Sequence, residues 1–371
     1  MIYLHVPFCG SFCTYCDFYS EICRSTQVFN EYADAVIAEI RDRRKELEMN
    51  MSAQDAVNTL YIGGGTPSVL PLDVLSRIVG AVTEPAEVTS PFEEFTIEVN
   101  PEDIVEKGSE YVRGLMNLGV NRISMGIQSF NDDILRWMNR RHDASRAVEA
   151  FRILRESGVL NISIDLIFGI SQLTDEIWEN TIEKALELSP EHISAYQLSI
   201  EEGSALAKMV ADGRYVEATD EQCRRLYDIL CQSLRLAGYH HYEISNFAKP
   251  GFEAVHNSAY WRRAPYIGLG PGAHSLTGNI RSWNSQELPH RNIVTYSRNF
   301  ETLSPEDIRV EKIMLSLRTD KGLEATELYS LADSTVIDTL LSEGALEKQG
   351  TCVRIPEDHL FTSDEIVREL I

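Results

Sequence analysis

Three cysteines stand within eight residues near the start of the chain, in the run CGSFCTYC from Cys9 through Cys13 to Cys16. Thiols at this spacing suit three kinds of chemistry. Cys13 and Cys16 form a C-x-x-C pair of the dithiol redox type, which would leave Cys9 idle. Zinc could take all three thiolates with His5 as a fourth ligand, although His5 falls inside a predicted strand and Pro7 separates it from Cys9. A [4Fe–4S] cluster is normally held by four thiolates. Three local ones with no near fourth would leave one iron open.

Other polar residues recur where predicted strands end. Gly64, Gly65 and Thr66 lie in the run IGGGTP, where glycines let backbone approach a ligand closely. Glu98 and Asn100 close the run EVNP, Gln128 follows in GIQSF, and Arg140 lies in NRRHD. Asp165 sits inside the apolar run IDLIFG, where an unpartnered carboxylate is costly. A salt bridge to Arg140 or a ribose hydroxyl would offset that cost. Gln197 and Ser199 end a further strand.

Elements able to position such a set can be read from the periodicity. Strands are predicted at 2–6, 59–62, 95–99, 122–127, 163–168, 193–198 and 242–245, with helices between them at 29–48, 71–83, 144–157, 176–188 and 220–237. Strand alternating with helix predicts a parallel array, here a partial (βα)6 TIM-like barrel, with its site at the C-terminal strand ends. Residues 303–371 read differently. Helices at 305–317, 325–331, 336–344 and 364–370, with a strand pair around Gly350, predict a small winged-helix-like domain. Seven basic against fifteen acidic residues there argue against a DNA-binding wing. The predicted units are 1–245, 246–302 and 303–371.

The bulk composition narrows the classes. The chain has 371 residues and a net charge of −23, from 34 basic and 57 acidic residues. Such a surface repels nucleic acid phosphates. No apolar run is long enough to span a membrane and no leader-like segment precedes the first strand, so a cytoplasmic protein with reduced thiols is expected. Cys23, Cys223, Cys231 and Cys352 are scattered and read as structural.

The cysteine spacing, with Tyr15 before the last thiol, resembles the signature of the radical S-adenosylmethionine enzymes. That resemblance implies a [4Fe–4S] cluster on Cys9, Cys13 and Cys16, with S-adenosylmethionine chelating the open iron. YLHVPFC, IGGGTP, EVNP, GIQSF, NRRHD and IDLIFG, in this order, are similar to the coproporphyrinogen-oxidase-like branch, and the match extends into the C-terminal domain. By that likeness Tyr3, Gly64, Glu98 and the backbone near Ala273 contact one cofactor molecule. Tyr15, Gly65, Thr66, Gln128, Arg140, Asp165 and Ser199 contact a second one or the substrate region.

Two departures from the branch's oxidase are visible. Phe18 stands where that enzyme has a further cysteine, and only eight residues precede Cys9 where it has a long extension. The run HNSAYW, from His256 to Trp261, instead resembles the mark of the branch's haem chaperones. This implies haem as cargo, apo-haemoproteins as recipients, an electron donor for the cluster, and peripheral contact with any membrane-bound recipient. His256 is the candidate haem ligand, with Tyr260 and Trp261 to cover the porphyrin; His240, His241 and His274 are rivals. The two departures disfavour coproporphyrinogen dehydrogenase activity on this scaffold.

Overall fold

Polar and apolar residues alternate along the strands, and this decides which face each strand turns outward. In the strand Glu94–Val99, Phe95, Ile97 and Val99 pack into the main apolar core, while Glu94, Thr96 and Glu98 fall on the other face. The computed structural model describes residues 1–53, 55–84, 92–288 and 296–371. Nine strands form its main sheet: β1 (Ile2–Val6), β2 (Thr59–Gly64), β3 (Glu94–Val99), β4 (Arg122–Gln128), β5 (Ile162–Phe168), β6 (His192–Gln197), β7 (His240–Glu243), β8 (Asn246–Ala248) and β9 (Ile267–Leu269). Their order is β9-β1-β2-β3-β4-β5-β6-β8-β7. Every neighbour from β9 to β6 pairs parallel, and β8 pairs antiparallel with both β6 and β7.

Helices Thr26–Asp42, Leu72–Thr83, Pro101–Asn117, Ala144–Glu156, Asp175–Leu188 and Asp220–Leu236 follow β1 to β6 in turn, giving six βα units. Their starts are locally encoded: Asp143, Thr174 and Thr219 each accept a backbone N–H of the first helical turn. The last helix buries Cys223, Leu226, Tyr227, Leu230 and Leu234, one stripe at helical spacing. Ile123, Met125, Ile164, Leu166 and Ile193 supply the matching outer face of the sheet. Each such fully buried side chain contributes roughly 1.5–3 kcal/mol.

Two expectations need correction. The helix predicted at 29–48 is two, Thr26–Asp42 and Arg44–Met51. Arg43 breaks the run because its side chain turns inward, to Glu39, Glu46, the Gly268 carbonyl and Ser275. The seventh strand is not parallel. β7 and β8 are joined through Ile244 and Ser245, and so short a connection allows only an antiparallel hairpin.

Segment 246–302 is woven into the sheet. It supplies β8, the short helix Val255–Trp261, β9 and an antiparallel sheet of His274–Thr277, Ile280–Asn284 and Arg298–Thr302. Residues 303–371 build the expected winged-helix-like arrangement around their own core, which includes Ile313, Leu328, Ile337, Leu340, Val353 and Val367. Among the described residues no helix is long and apolar enough to cross a membrane.

Candidate functional site

The inner faces of the strands enclose a lumen lined mostly by residues with polar side chains. Tyr61, Glu98, Arg122, Ser124, Asp165 and Ser194 all open to one cavity of about 600 Å³. Barrels of this kind more often fill their interior with branched apolar residues. An unfilled polar interior must therefore be offset by ligand, water or hydrogen bonds among its own groups.

At the mouth, the cysteine loop leaves β1 and folds over the C-terminal strand ends. It is tied to the segment after β4: the Thr14 N–H and hydroxyl donate to the carbonyls of Met138 (3.1 Å) and Trp137 (2.9 Å), and Asn139 donates to the Phe12 carbonyl at 2.7 Å. Cys9, Cys13 and Cys16 all line the cavity, and none of its other described lining residues is a cysteine. The Thr66 hydroxyl donates to Cys9 Sγ at 3.6 Å, and Arg140 Nη1 to Cys13 Sγ at 3.3 Å. Burial raises the Cys9 thiol above its ordinary range and pushes Cys16 up to about 11. The same effect raises the Tyr15 phenol.

The glycine run packs directly beneath this loop. A Cβ on Gly65 would lie 2.7 Å from the Phe8 carbonyl oxygen and 3.0 Å from Cys9 Sγ, so only glycine lets the two segments meet. Gly64 has φ +114°, and its N–H donates to Glu98 at 3.1 Å. Glu98 also accepts the Tyr61 hydroxyl at 2.7 Å. Burial pushes Glu98 up to about 7; these two donors oppose the rise and the Asp165 carboxylate adds to it.

Opposite, Gln128 holds φ +71° where the register slips between Gly126 and Gln128. A bulky residue in the left-handed region stores strain that tends to collect at ligand sites. Arg140 Nη2 donates to Asn100 and to the Gly126 carbonyl, both at 2.7 Å. Asp165 does not pair with Arg140. It accepts Ser124 at 3.3 Å, and burial raises its pKa. Ser199 is exposed at the rim and donates to Glu201 at 2.7 Å.

The opposite end of the barrel is closed by the helix Val255–Trp261, which carries the HNSAYW run. Its first N–H groups, of Val255 and His256, donate to Glu94 at 2.7 and 3.2 Å, a carboxylate on a helix N-terminus. His256 is 1% exposed. Its Nδ1 bonds Thr59 Oγ1 at 2.8 Å and its Nε2 the Tyr260 hydroxyl at 3.1 Å. Across the floor His192 repeats the pattern, between Ser163 at 2.8 Å and Tyr242 at 2.7 Å. Burial pushes His256 down to about 3 and His192 well below its usual value, so both rings are neutral.

The rival histidines differ from one another. His240 meets Glu253 and Asp320, and His241 meets Glu357 and stacks on Phe247. His274 is exposed and stacks on Trp283 with ring centres 5.8 Å apart.

Of the residues singled out from sequence, Cys9, Cys13, Cys16, Tyr15, Gly64, Gly65, Thr66, Glu98, Gln128, Arg140, Asp165 and Ser199 converge on the cavity. Tyr3 lies beside it, hydrogen-bonded to His5. Ala273 is buried in the turn after β9, with its carbonyl accepting the Asn284 N–H. Tyr61, Arg122, Ser124, Ser194, Tyr196 and Asn257, none of them singled out from sequence, also line the lumen. For the strand residues a signal was present: polar groups at every second position, well before the strand ends.

Comparison with known proteins agrees with this architecture. Residues 3–185 match the Radical SAM superfamily. The haem chaperone HemW of Bacillus subtilis is 34% identical, over 86% of this chain and 84% of that protein. The haem chaperone HemW of Mycobacterium tuberculosis strain H37Rv is 31% identical, over 100% of this chain and 94% of its own length. Among solved structures, coproporphyrinogen III oxidase (HemN) from Escherichia coli superposes with a TM-score of 0.80 at 22% identity, covering 99% of this chain and 89% of that one.

Proposed function

Because the chain belongs to the radical S-adenosylmethionine superfamily, among the HemW-type haem chaperones of its coproporphyrinogen-oxidase-like branch, we propose that it binds haem and passes it to apo-haemoproteins in the cytoplasm. Three thiols on one wall of a polar lumen, with no fourth cysteine among the described residues lining it, carry the cofactor half of this reading. The names of the relatives that span the chain support the cargo half.

Cys9, Cys13 and Cys16 would hold a [4Fe–4S] cluster, which supplies an iron open to the amino-acid end of S-adenosylmethionine and a one-electron source. The donor set fits: three soft thiols, with the Arg140 guanidinium on Cys13 to offset their charge. Glu98 and the Gly64–Thr66 turn would hold the cofactor's cationic groups. Gln128, Arg140 and Asp165 would fix its polar end or that of a second molecule. Tyr15 and Ser199 border the same space, while Tyr3 and Ala273 would act from its edge. His256 supports the floor in this reading; to bind iron its ring would have to give up one of two hydrogen bonds.

Phe18 is 65% exposed at the mouth. It occupies the place that the likeness gives to a cysteine in the decarboxylating oxidase, so oxidase activity is not expected. Anaerobic titration of cluster-loaded protein with haemin, with and without S-adenosylmethionine, tests the proposal. A saturable Soret shift near one haem per chain is expected, together with no protoporphyrinogen formed from coproporphyrinogen under reducing conditions. Absence of any saturable shift, or protoporphyrinogen at enzyme-like rates, overturns it.

A further inference from the structure

Two arginines are buried among the described residues, Arg43 at 4% and Arg122 at 1% exposure. Their settings are opposite. Arg43 donates to Glu39, Glu46, Ser275 and the Gly268 carbonyl, so its charge and its donors are answered by the protein. Arg122 begins β4, deep in the lumen. Its Nε has no hydrogen-bond partner, and among the described residues no carboxylate lies within salt-bridge distance of the guanidinium.

The charges of Glu94 and Asp165 favour the guanidinium, but both carboxylates make their hydrogen bonds elsewhere. Glu94 accepts the N–H groups of Val255 and His256 and the Thr96 hydroxyl. Asp165 accepts Ser124. Arg122 nonetheless lines the cavity, as do Ser124, Ser194 and Asn257.

A desolvated guanidinium without a hydrogen-bonded counter-ion is among the costliest arrangements a protein interior can hold. The planar fork of an arginine matches a carboxylate in two parallel hydrogen bonds. We propose that Arg122 is the carboxylate-recognising residue at the base of the lumen, completed when a ligand's carboxylate enters from the mouth. This rests on the haem-chaperone reading, which supplies that group as a propionate of the tetrapyrrole; the carboxylate of S-adenosylmethionine is engaged by the open iron at the mouth.

A matched pair of ligands tests this. Cluster-loaded wild-type protein is titrated with haemin and with haemin dimethyl ester, and the titrations are repeated on Arg122→Gln and Arg122→Lys, with melting curves and iron content as controls. The wild type should favour the free acid by about ten- to a hundredfold. Arg122→Gln should abolish that preference while leaving the ester bound as before, and Arg122→Lys should retain part of it. If Arg122→Gln does not fold, the wild-type and Arg122→Lys titrations decide alone. Equal affinity of the wild type for acid and ester, or a preference that survives Arg122→Gln, overturns the inference. If the wild type binds neither haemin nor its ester, the haem-chaperone reading fails instead.

Discussion

The two ends of the barrel are made of similar chemistry arranged to opposite effect. At the floor, His256 and His192 each span two hydroxyl groups, and Glu94 closes on a helix N-terminus. At the mouth, three thiols face open space, Gln128 holds a strained backbone, and Glu98 is pushed up to about 7 by burial. A satisfied buried network rigidifies, whereas a partly satisfied one is unstable until something completes it. The histidine and Glu94 network of the floor is therefore scaffold, and the mouth, with Arg122 on the inner wall beneath it, is prepared to receive.

Substitutions at the two ends should separate binding from folding. The largest effect belongs to the mouth: Cys13→Ala should lose the cluster altogether, read as iron and acid-labile sulfide after anaerobic reconstitution, while the fold survives. Next in size is the floor. His256→Ala strands Thr59 and Tyr260 and leaves a cavity, at a cost of about 2–4 kcal/mol in denaturant unfolding, with haemin affinity unchanged within about twofold. A large loss of haemin binding in His256→Ala at intact stability would instead make that ring an iron ligand and dissolve the contrast. His274→Ala belongs in the same series, since that exposed ring needs no partner removed.

Gly65→Ala should weaken S-adenosylmethionine binding by about tenfold, because the added methyl forces the glycine turn away from Phe8 and Cys9. Chemical denaturation of the same variant should show a cost of about 1–3 kcal/mol. Smaller effects come from protons. Glu98 has a folded pKa above its unfolded one, so its contribution to stability is present below about pH 4.5 and lost as pH rises through about 7. A cationic ligand needs the ionised form, so affinity should rise about tenfold from about pH 6 to about pH 8, and Glu98→Gln should flatten the profile. At the floor the sign reverses. His256 and His192 resist protonation, so their stabilising contribution is present above about pH 6.5 and fades as pH falls, for His256 towards about 3. Melting temperature against pH reads that directly.

Much of this was legible in the sequence, for identifiable reasons. Strands β1 to β6 stood out because apolar outward residues recur beside polar inward ones. The cysteine loop, the glycine run, Gln128 and Asp165 stood out because they follow or interrupt those strands. Arg43 was opaque, since only the folded neighbourhood of Glu39, Gly268 and Ser275 explains why a long helix breaks there. Arg122 and Ser194 were missed because attention to strand ends hides the polar residues deeper in the same strands. The role of HNSAYW as a floor was hidden for a further reason. Nothing local in that run says that Thr59 and Glu94, some 160 to 200 residues earlier, are its partners.

Mössbauer spectroscopy of protein reconstituted with enriched iron, before and after adding S-adenosylmethionine, tests the contrast between a closed floor and an open mouth most directly. A [4Fe–4S] spectrum in which one iron site alone changes on adding the cofactor is the predicted result. A spectrum without such a cluster, or one in which all four irons ignore the cofactor, would contradict the account.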